Sequence, residues 1–136
     1  METEKAEGYD RIFQYPGGTE YKMEYKTDFQ ASVTGNVFIE TVSMDIYDKP
    51  GWAYTSKADY LIYYIPGASK LLVIPARTIR LKIERWKSMY PELRVENKGY
   101  CAYGVIVPLV EFEGYCLVME DFLMNHKLEA YDVKSD

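Results

Sequence analysis

Apolar positions along this chain keep a strand-like period up to about residue 76, where a helical period begins, and strand-like runs return after Pro91. Residues 9 to 15 (YDRIFQY) and 20 to 28 (EYKMEYKTD) alternate polar and apolar side chains, with Pro16-Gly17-Gly18-Thr19 between them. Alternation on both sides of a proline-glycine turn predicts a β-hairpin. After Thr34-Gly35-Asn36, the β-branched, apolar run VFIETVSM predicts a third strand, which Asp48-Lys49-Pro50-Gly51 ends in a loop. ADYLIYYI (58 to 65) and KLLVI (70 to 74) are short apolar runs parted by Pro66-Gly67-Ala68, the pattern of two buried neighbouring strands. Counted together these strands predict one sheet of about five. From Ala76 onward Ile79, Ile83, Trp86 and Tyr90 recur at helical spacing until Pro91, which predicts one amphipathic helix. Leu93 to Asn97 and Tyr103 to Val107 predict a last strand pair around Lys98-Gly99, and residues 115 to 128 fit a second helix.

Composition bounds what such a chain can be. With 136 residues, 48% of them apolar, and no internal repeat or linker, one α+β domain spanning residues 1–136 is expected. Fourteen tyrosines favour half-buried pleated surface and so lean further toward sheet. A net charge of −5 excludes a chain held to nucleic acid by bulk charge, so a polyanion must meet a local patch. No apolar run approaches the roughly 18 residues of a membrane span, and METEKAEGYD lacks the parts of a signal peptide; a soluble, cytoplasmic protein with no membrane partner is expected. Two cysteines (Cys101, Cys116) and one histidine (His126) make neither a disulfide framework nor a zinc set.

The candidate chemistry lies on the hairpin. Glu24 and Lys26 are two apart on one predicted strand, so both leave the same face, while Met23 and Tyr25 leave the other. Taken alone, such a pair is most often a same-face ion pair of little consequence. Asp10 lies on the preceding strand, where a tight turn can bring its carboxylate to the same spot. Two carboxylates are what magnesium usually takes from a protein, the remaining positions going to water and substrate phosphate. The Tyr25 carbonyl is a third oxygen, and a lysine beside the metal can hold a water and neutralise charge on phosphate.

Asp10, thirteen intervening residues and Glu24-Tyr25-Lys26 on the second strand of a hairpin resemble the motif of the PD-(D/E)XK nuclease superfamily. KTDFQASVTGNVFIE (26 to 40), followed by TSKADYLIYYIP (55 to 66) and a weaker echo in GVIVP (104 to 108), is similar to small nuclease-like proteins of bacteriophages and prophages. The resemblance covers about residues 9 to 75. It implies a central mixed sheet flanked by helices, as in restriction endonucleases, and a hydrolase: a magnesium-dependent DNA endonuclease of phage type that manganese would also serve. It further implies that Asp10, Glu24 and the Tyr25 carbonyl bind metal and that Lys26 orients water and stabilises the phosphorane-like transition state. Attack would come from a metal-activated hydroxide, since no Ser/His or Cys/His pair is present. Two features depart from the pattern. Only about eight residues precede Tyr9 where relatives open with a helix, and GWAY (51 to 54) replaces a more usual S-G-I. The first departure leaves a sheet face for a protein partner or the C-terminal segment to cover, and it supports the competing reading of an inactive nuclease-like fold that binds nucleic acid or protein. A homodimer is expected by analogy, because cutting both strands needs two sites.

Other residues have a functional and a structural reading side by side. Glu40 is a further metal-shell carboxylate or an exposed strand end; Lys57 and Asp59 line the site or cap a strand; Asp28 belongs to the site or pairs with Lys26. Trp52 stacks on a base or serves the core or a lid, Tyr60, Tyr63 and Tyr64 are mainly core, and His126 is a surface residue. Seven of the sixteen Lys and Arg fall between Arg77 and Lys98. Among them Arg80 and Lys87 share one flank of the helical stripe and Lys82 takes the other, so these three are the candidate nucleic-acid contacts unless the helix is a solvated face. In that case Lys49, Lys57 and Lys70 are the alternative.

Overall fold

The computed structural model describes residues 10–14, 17–126 and 129–133, the last five and residue 126 by backbone alone. Strand β1 (Arg11–Gln14) turns back through Gly18, at φ 96°, into β2 (Glu20–Thr27), an antiparallel hairpin in register Arg11↔Met23 to Gln14↔Glu20. The chain then forms a one-turn helix α1 (Ala31–Thr34), strand β3 (Asn36–Met44), the short strand β4 (Lys49–Pro50) and a second one-turn helix α2 (Trp52–Thr55). Strands β5 (Tyr60–Ile65) and β6 (Lys70–Pro75) form an antiparallel pair around a 3-10 turn at Pro66–Ala68. Helix α3 (Ala76–Met89) follows at once and stops where Pro91 denies the backbone another donor. Strands β7 (Glu92–Asn97) and β8 (Tyr100–Pro108), helix α4 (Leu109–Glu113), strand β9 (Leu117–Val118), helix α5 (Met119–His126) and strand β10 (Glu129–Val133) complete the chain.

Two sheets result. One is mixed and six-stranded, in the order β10-β1-β2-β5-β6-β9, with β2 and β5 parallel; the other is four-stranded, β4-β3-β8-β7. The fold is therefore α+β, one domain with a mixed sheet of more than five strands and helices around it, as the sequence predicts. The third strand departs from that reading. VFIETVSM does not join the hairpin's sheet; it pairs antiparallel with β8 from Asn36↔Pro108 onward and builds the second sheet. Pairing choice is non-local, and an apolar β-branched run carries no information about which partner it meets. The helix expected over residues 115 to 128 is shorter, Met119–His126, preceded by α4 and β9; residues 127 and 128 lie outside the described residues.

Strands β5 and β6 of the mixed sheet are buried on both faces over most of their length, which is why they read as continuous apolar runs. Leu61, Tyr63, Ile65, Leu72 and Ile74 pack with Val37 and Ile39 of β3, Val105 and Val107 of β8, and the Ile79, Ile83 and Trp86 stripe of α3. Ile62 and Val73, one residue out of phase, pack with Phe13, Met23 and Phe122 of α5 on the other side. Each fully buried side chain of this size contributes about 1.5–3 kcal/mol relative to exposure. Buried Trp86 and half-buried Tyr90 share one carboxylate: Trp86 Nε1 donates to Glu111 Oε2 at 2.6 Å, and Tyr90 OH donates to Glu111 Oε1. The second sheet shapes the candidate cleft, because β3 lies against the mixed sheet and brings its Glu40 carboxylate to the same space as Glu24 and Lys26 of β2.

Candidate active site

The hairpin ladder does not end at Arg11. Asp10 N–H donates to the Met23 carbonyl at 2.8 Å, and Asp10 Oδ2 accepts the Tyr25 N–H at 2.8 Å, so a side chain continues the pairing where the strand stops. This holds the Asp10 carboxylate beside β2. On β2 the alternation works as expected: Met23 is buried, while Glu24 and Lys26 leave together on one face. Lys26 Nζ stands 2.9 Å from Glu24 Oε2, and the other Glu24 oxygen accepts Ser56 Oγ–H at 2.5 Å. Lys26 Nζ also lies 5.4 Å from the centre of the Trp52 ring, close enough for cation–π attraction.

Glu40 arrives from the second sheet. The register of β3 on β8 shifts between Glu40 and Val42, a bulge of the kind that re-aims a side chain. Gly51 then crosses its backbone so closely that a Cβ there would lie 2.4 Å from the Glu40 carbonyl oxygen, so only glycine fits. That approach sets the Trp52 N–H 3.3 Å from Glu40 Oε1. Burial pushes the Glu40 carboxyl above its usual range, and the Glu24 carboxylate adds to that; the Trp52 N–H and the ammonium groups of Lys26 and Lys49 pull the other way.

Asp10, Glu24, Tyr25, Lys26 and Glu40 thus line one cleft of about 530 Å³, together with Lys49 and Trp52. Three carboxylates and two ammonium groups face one space, a combination suited to a hard cation and a phosphate at once. Among the described residues no three His, Cys, Asp or Glu side chains already stand as a closed metal shell. The donor set nevertheless fits magnesium, which takes one or two protein carboxylates and fills the rest of its octahedron with water and substrate oxygens.

The remaining candidates divide. Lys57 is exposed and stands outside the residues lining that cleft. Asp59 is a clamp: its Oδ2 accepts the Lys22 N–H at 2.8 Å and its own N–H donates to the Lys22 carbonyl at 2.7 Å, fastening β5 to β2. Asp28 does not pair with Lys26 in the way Glu24 does. Its Oδ1 accepts the N–H groups of Gln30 and Ala31 at 3.0 Å, and its Oδ2 accepts Tyr63 OH at 2.5 Å and Phe38 N–H at 3.2 Å. Burial and this carboxylate push the Tyr63 phenol far above its ordinary pKa, so it stays a donor. Tyr63 is core as expected, whereas Tyr64 is 40% exposed.

On α3 the basic residues part company. Arg80 Nη1 donates to the Ser56 carbonyl at 3.2 Å, and Lys87 Nζ donates to Tyr54 OH at 3.1 Å, so this flank adjoins the segment that borders the cleft. Lys82 lies over the Tyr115 ring instead, on the opposite flank. Lys70, one of the alternative cations, is paired with Glu113 at 2.5 Å. Burial pushes the Cys116 thiol up to about 12, which removes it as a nucleophile near neutral pH. Lys49, one of the alternative cations, lines the cleft, and Ser56 is the residue whose place sequence reasoning missed. Ser56 sat inside the quoted TSKADY run, but nothing in a serine's neighbours along the chain announces a carboxylate 32 positions away.

No protein-family model, no curated protein and no solved structure matches this chain, so the cleft is read on its own chemistry.

Proposed function

We propose that this protein is a divalent-metal-dependent phosphodiesterase acting on nucleic acid, a deoxyribonuclease of the kind the hairpin motif resembles. The observation that carries the reading is the convergence of Asp10, Glu24, Lys26 and Glu40, from separate parts of the chain, on one cleft. Asp10, Glu24 and the Tyr25 carbonyl are the groups that would hold magnesium or manganese, with Glu40 as a further carboxylate. When bound, the ion supplies Lewis-acid polarisation of the phosphoryl oxygen and lowers the pKa of a water. Lys26 holds that water's position and offsets charge building on the phosphoryl oxygens, an interaction that strengthens toward the transition state. Ser56 Oγ–H holds one oxygen of the Glu24 carboxylate in place, and the Lys26 ammonium is the counter-charge that a bound ion would take over from. Lys49 adds positive charge at the mouth, and Arg80 with Lys87 extends it along α3 toward the flanking backbone.

The test is manganese calorimetry combined with nicking of plasmid and branched DNA. Asp10→Asn and Glu24→Gln should each weaken manganese binding and stop nicking while thermal melting shows the fold retained, because a neutral amide is a poorer ligand for a hard cation. Unchanged manganese binding in both variants would remove the site. Stoichiometric binding without any cleavage by the unaltered protein would favour the binding-module reading over the enzyme.

A further inference from the structure

Beside the carboxylate cleft lies a second one of about 330 Å³, and Lys26 and Trp52 are the wall between them. Its character is different. Phe29, Phe38 and Trp52 supply ring surface, and its volume falls at the small end of ligand pockets, about 300–1,000 Å³, where one flat ring fits and a base pair does not. Phe29 is 71% exposed. Neither packing nor looseness accounts for that ring in water. The Asp28 carboxylate fixes the backbone on its C-terminal side through the Gln30 and Ala31 N–H groups and ties the segment to Phe38 and Tyr63. Of the polar groups that line this cleft, Asp28 and Tyr63 are committed to each other, which leaves the side chains of Thr27 and Gln30 to meet a ligand. Lys26 already covers Trp52, so Phe29 is the ring with a face to offer.

Resting on the phosphodiesterase reading, we propose that this second cleft receives one unpaired base of the polynucleotide, stacked on Phe29, while the adjoining phosphate lies at Lys26. A ring carried at the exposed rim on a backbone fixed by Asp28 contributes stacking without ordering a loop first. Every base has a π-face, so such a platform tolerates any sequence and selects for a base that is free of its partner. The preferred substrate is then a gapped, looped or single-stranded site rather than a continuous duplex, and Gln30 is the side chain placed to meet an edge of the base.

The experiment is fluorescence anisotropy with labelled oligonucleotides, chelator being present so that nothing is cut. Continuous duplex, the same duplex with a short gap, and the gapped form with one abasic nucleotide are compared, each in DNA and RNA versions to separate those two sources of the base. The unaltered protein should bind the gapped form more tightly than the duplex. Phe29→Ala should weaken gapped binding by roughly 5- to 150-fold, the range spanned by loss of one base–aromatic stack, and leave duplex binding unchanged. Phe29→Trp should keep the preference, and the abasic strand should bind the unaltered protein as weakly as the gapped strand binds Phe29→Ala. Because Phe29 stands mostly in water, its replacement should leave the melting curve in place. A gap preference that survives Phe29→Ala would overturn this inference and leave the phosphodiesterase reading standing. Equal binding of the gapped form and the continuous duplex by the unaltered protein would overturn it as well, while the phosphodiesterase reading is decided separately by manganese binding and nicking.

Discussion

Lys26→Met separates the two roles of one ammonium group. In the metal-free protein Lys26 is the counter-ion of Glu24, 2.9 Å away, with the two side chains 29% and 12% exposed. That is intermediate between an exposed pair, worth up to about 1 kcal/mol, and a buried one, whose breaking costs about 3–5 kcal/mol. A loss of about 2 kcal/mol is therefore expected on removing the charge, since methionine keeps a side chain of similar length and apolar stem. A divalent cation held by Glu24 takes over as its counter-charge. The variant no longer has a Lys26–Glu24 attraction to surrender on binding metal, so manganese should bind up to about 30-fold more tightly, at about 1.4 kcal/mol per factor of ten. Urea denaturation in chelator should show the deficit. The same titration in saturating manganese should show it closing, because tighter binding to the folded state restores stability. Plasmid nicking should meanwhile be lost, as the charge that meets the transition state is gone. Unchanged stability together with equal or weaker manganese binding would mean that Lys26 and Glu24 are not coupled. Retained cleavage would take Lys26 out of the chemistry.

Two further outcomes follow from the same geometry. Burial raises the folded-state pKa of Glu40, so the folded state binds that proton more tightly than the unfolded chain, and the charged carboxylate costs stability above the raised pKa. Glu40→Gln should therefore be more stable than the unaltered protein near neutral pH, and denaturation curves repeated at falling pH should show the advantage disappear as Glu40 takes up its proton; a constant advantage at every pH would refute the burial argument. Asp28→Asn should destabilise the fold by about 2–6 kcal/mol, because one amide oxygen cannot replace two acceptors and two part-buried donors lose partners at about 1–3 kcal/mol each. Tyr63→Phe should cost less, and the double variant less than the sum; strictly additive losses in a double-mutant cycle would show that the two side chains do not interact.

Local period determined much of this protein before any contact was known. The alternation of EYKMEYKT puts Glu24 and Lys26 on one face whatever strand lies alongside, since successive side chains of an extended backbone point to opposite sides. The four-three-four spacing of Ile79, Ile83, Trp86 and Tyr90 fixes which side of α3 is buried and therefore separates Arg80 and Lys87 from Lys82. The short hairpin register sets Asp10 near Tyr25, through a ladder only a few residues long. Pairing between distant segments is another matter. VFIETVSM has the same apolar, β-branched character whether it joins the hairpin or β8, and only the packing of the whole chain places it in the second sheet. That choice is what turns Glu40 from a strand-end glutamate into a half-buried carboxylate facing Glu24 and Lys26. Asp28 shows the converse, since its alternation phase matches Glu24 and Lys26, yet four donors from α1, β3 and β5 claim both its oxygens. A side chain's direction is set by its own backbone, but the groups waiting there are set by segments tens of residues away, and their identity enters the energy only once the core has closed around them.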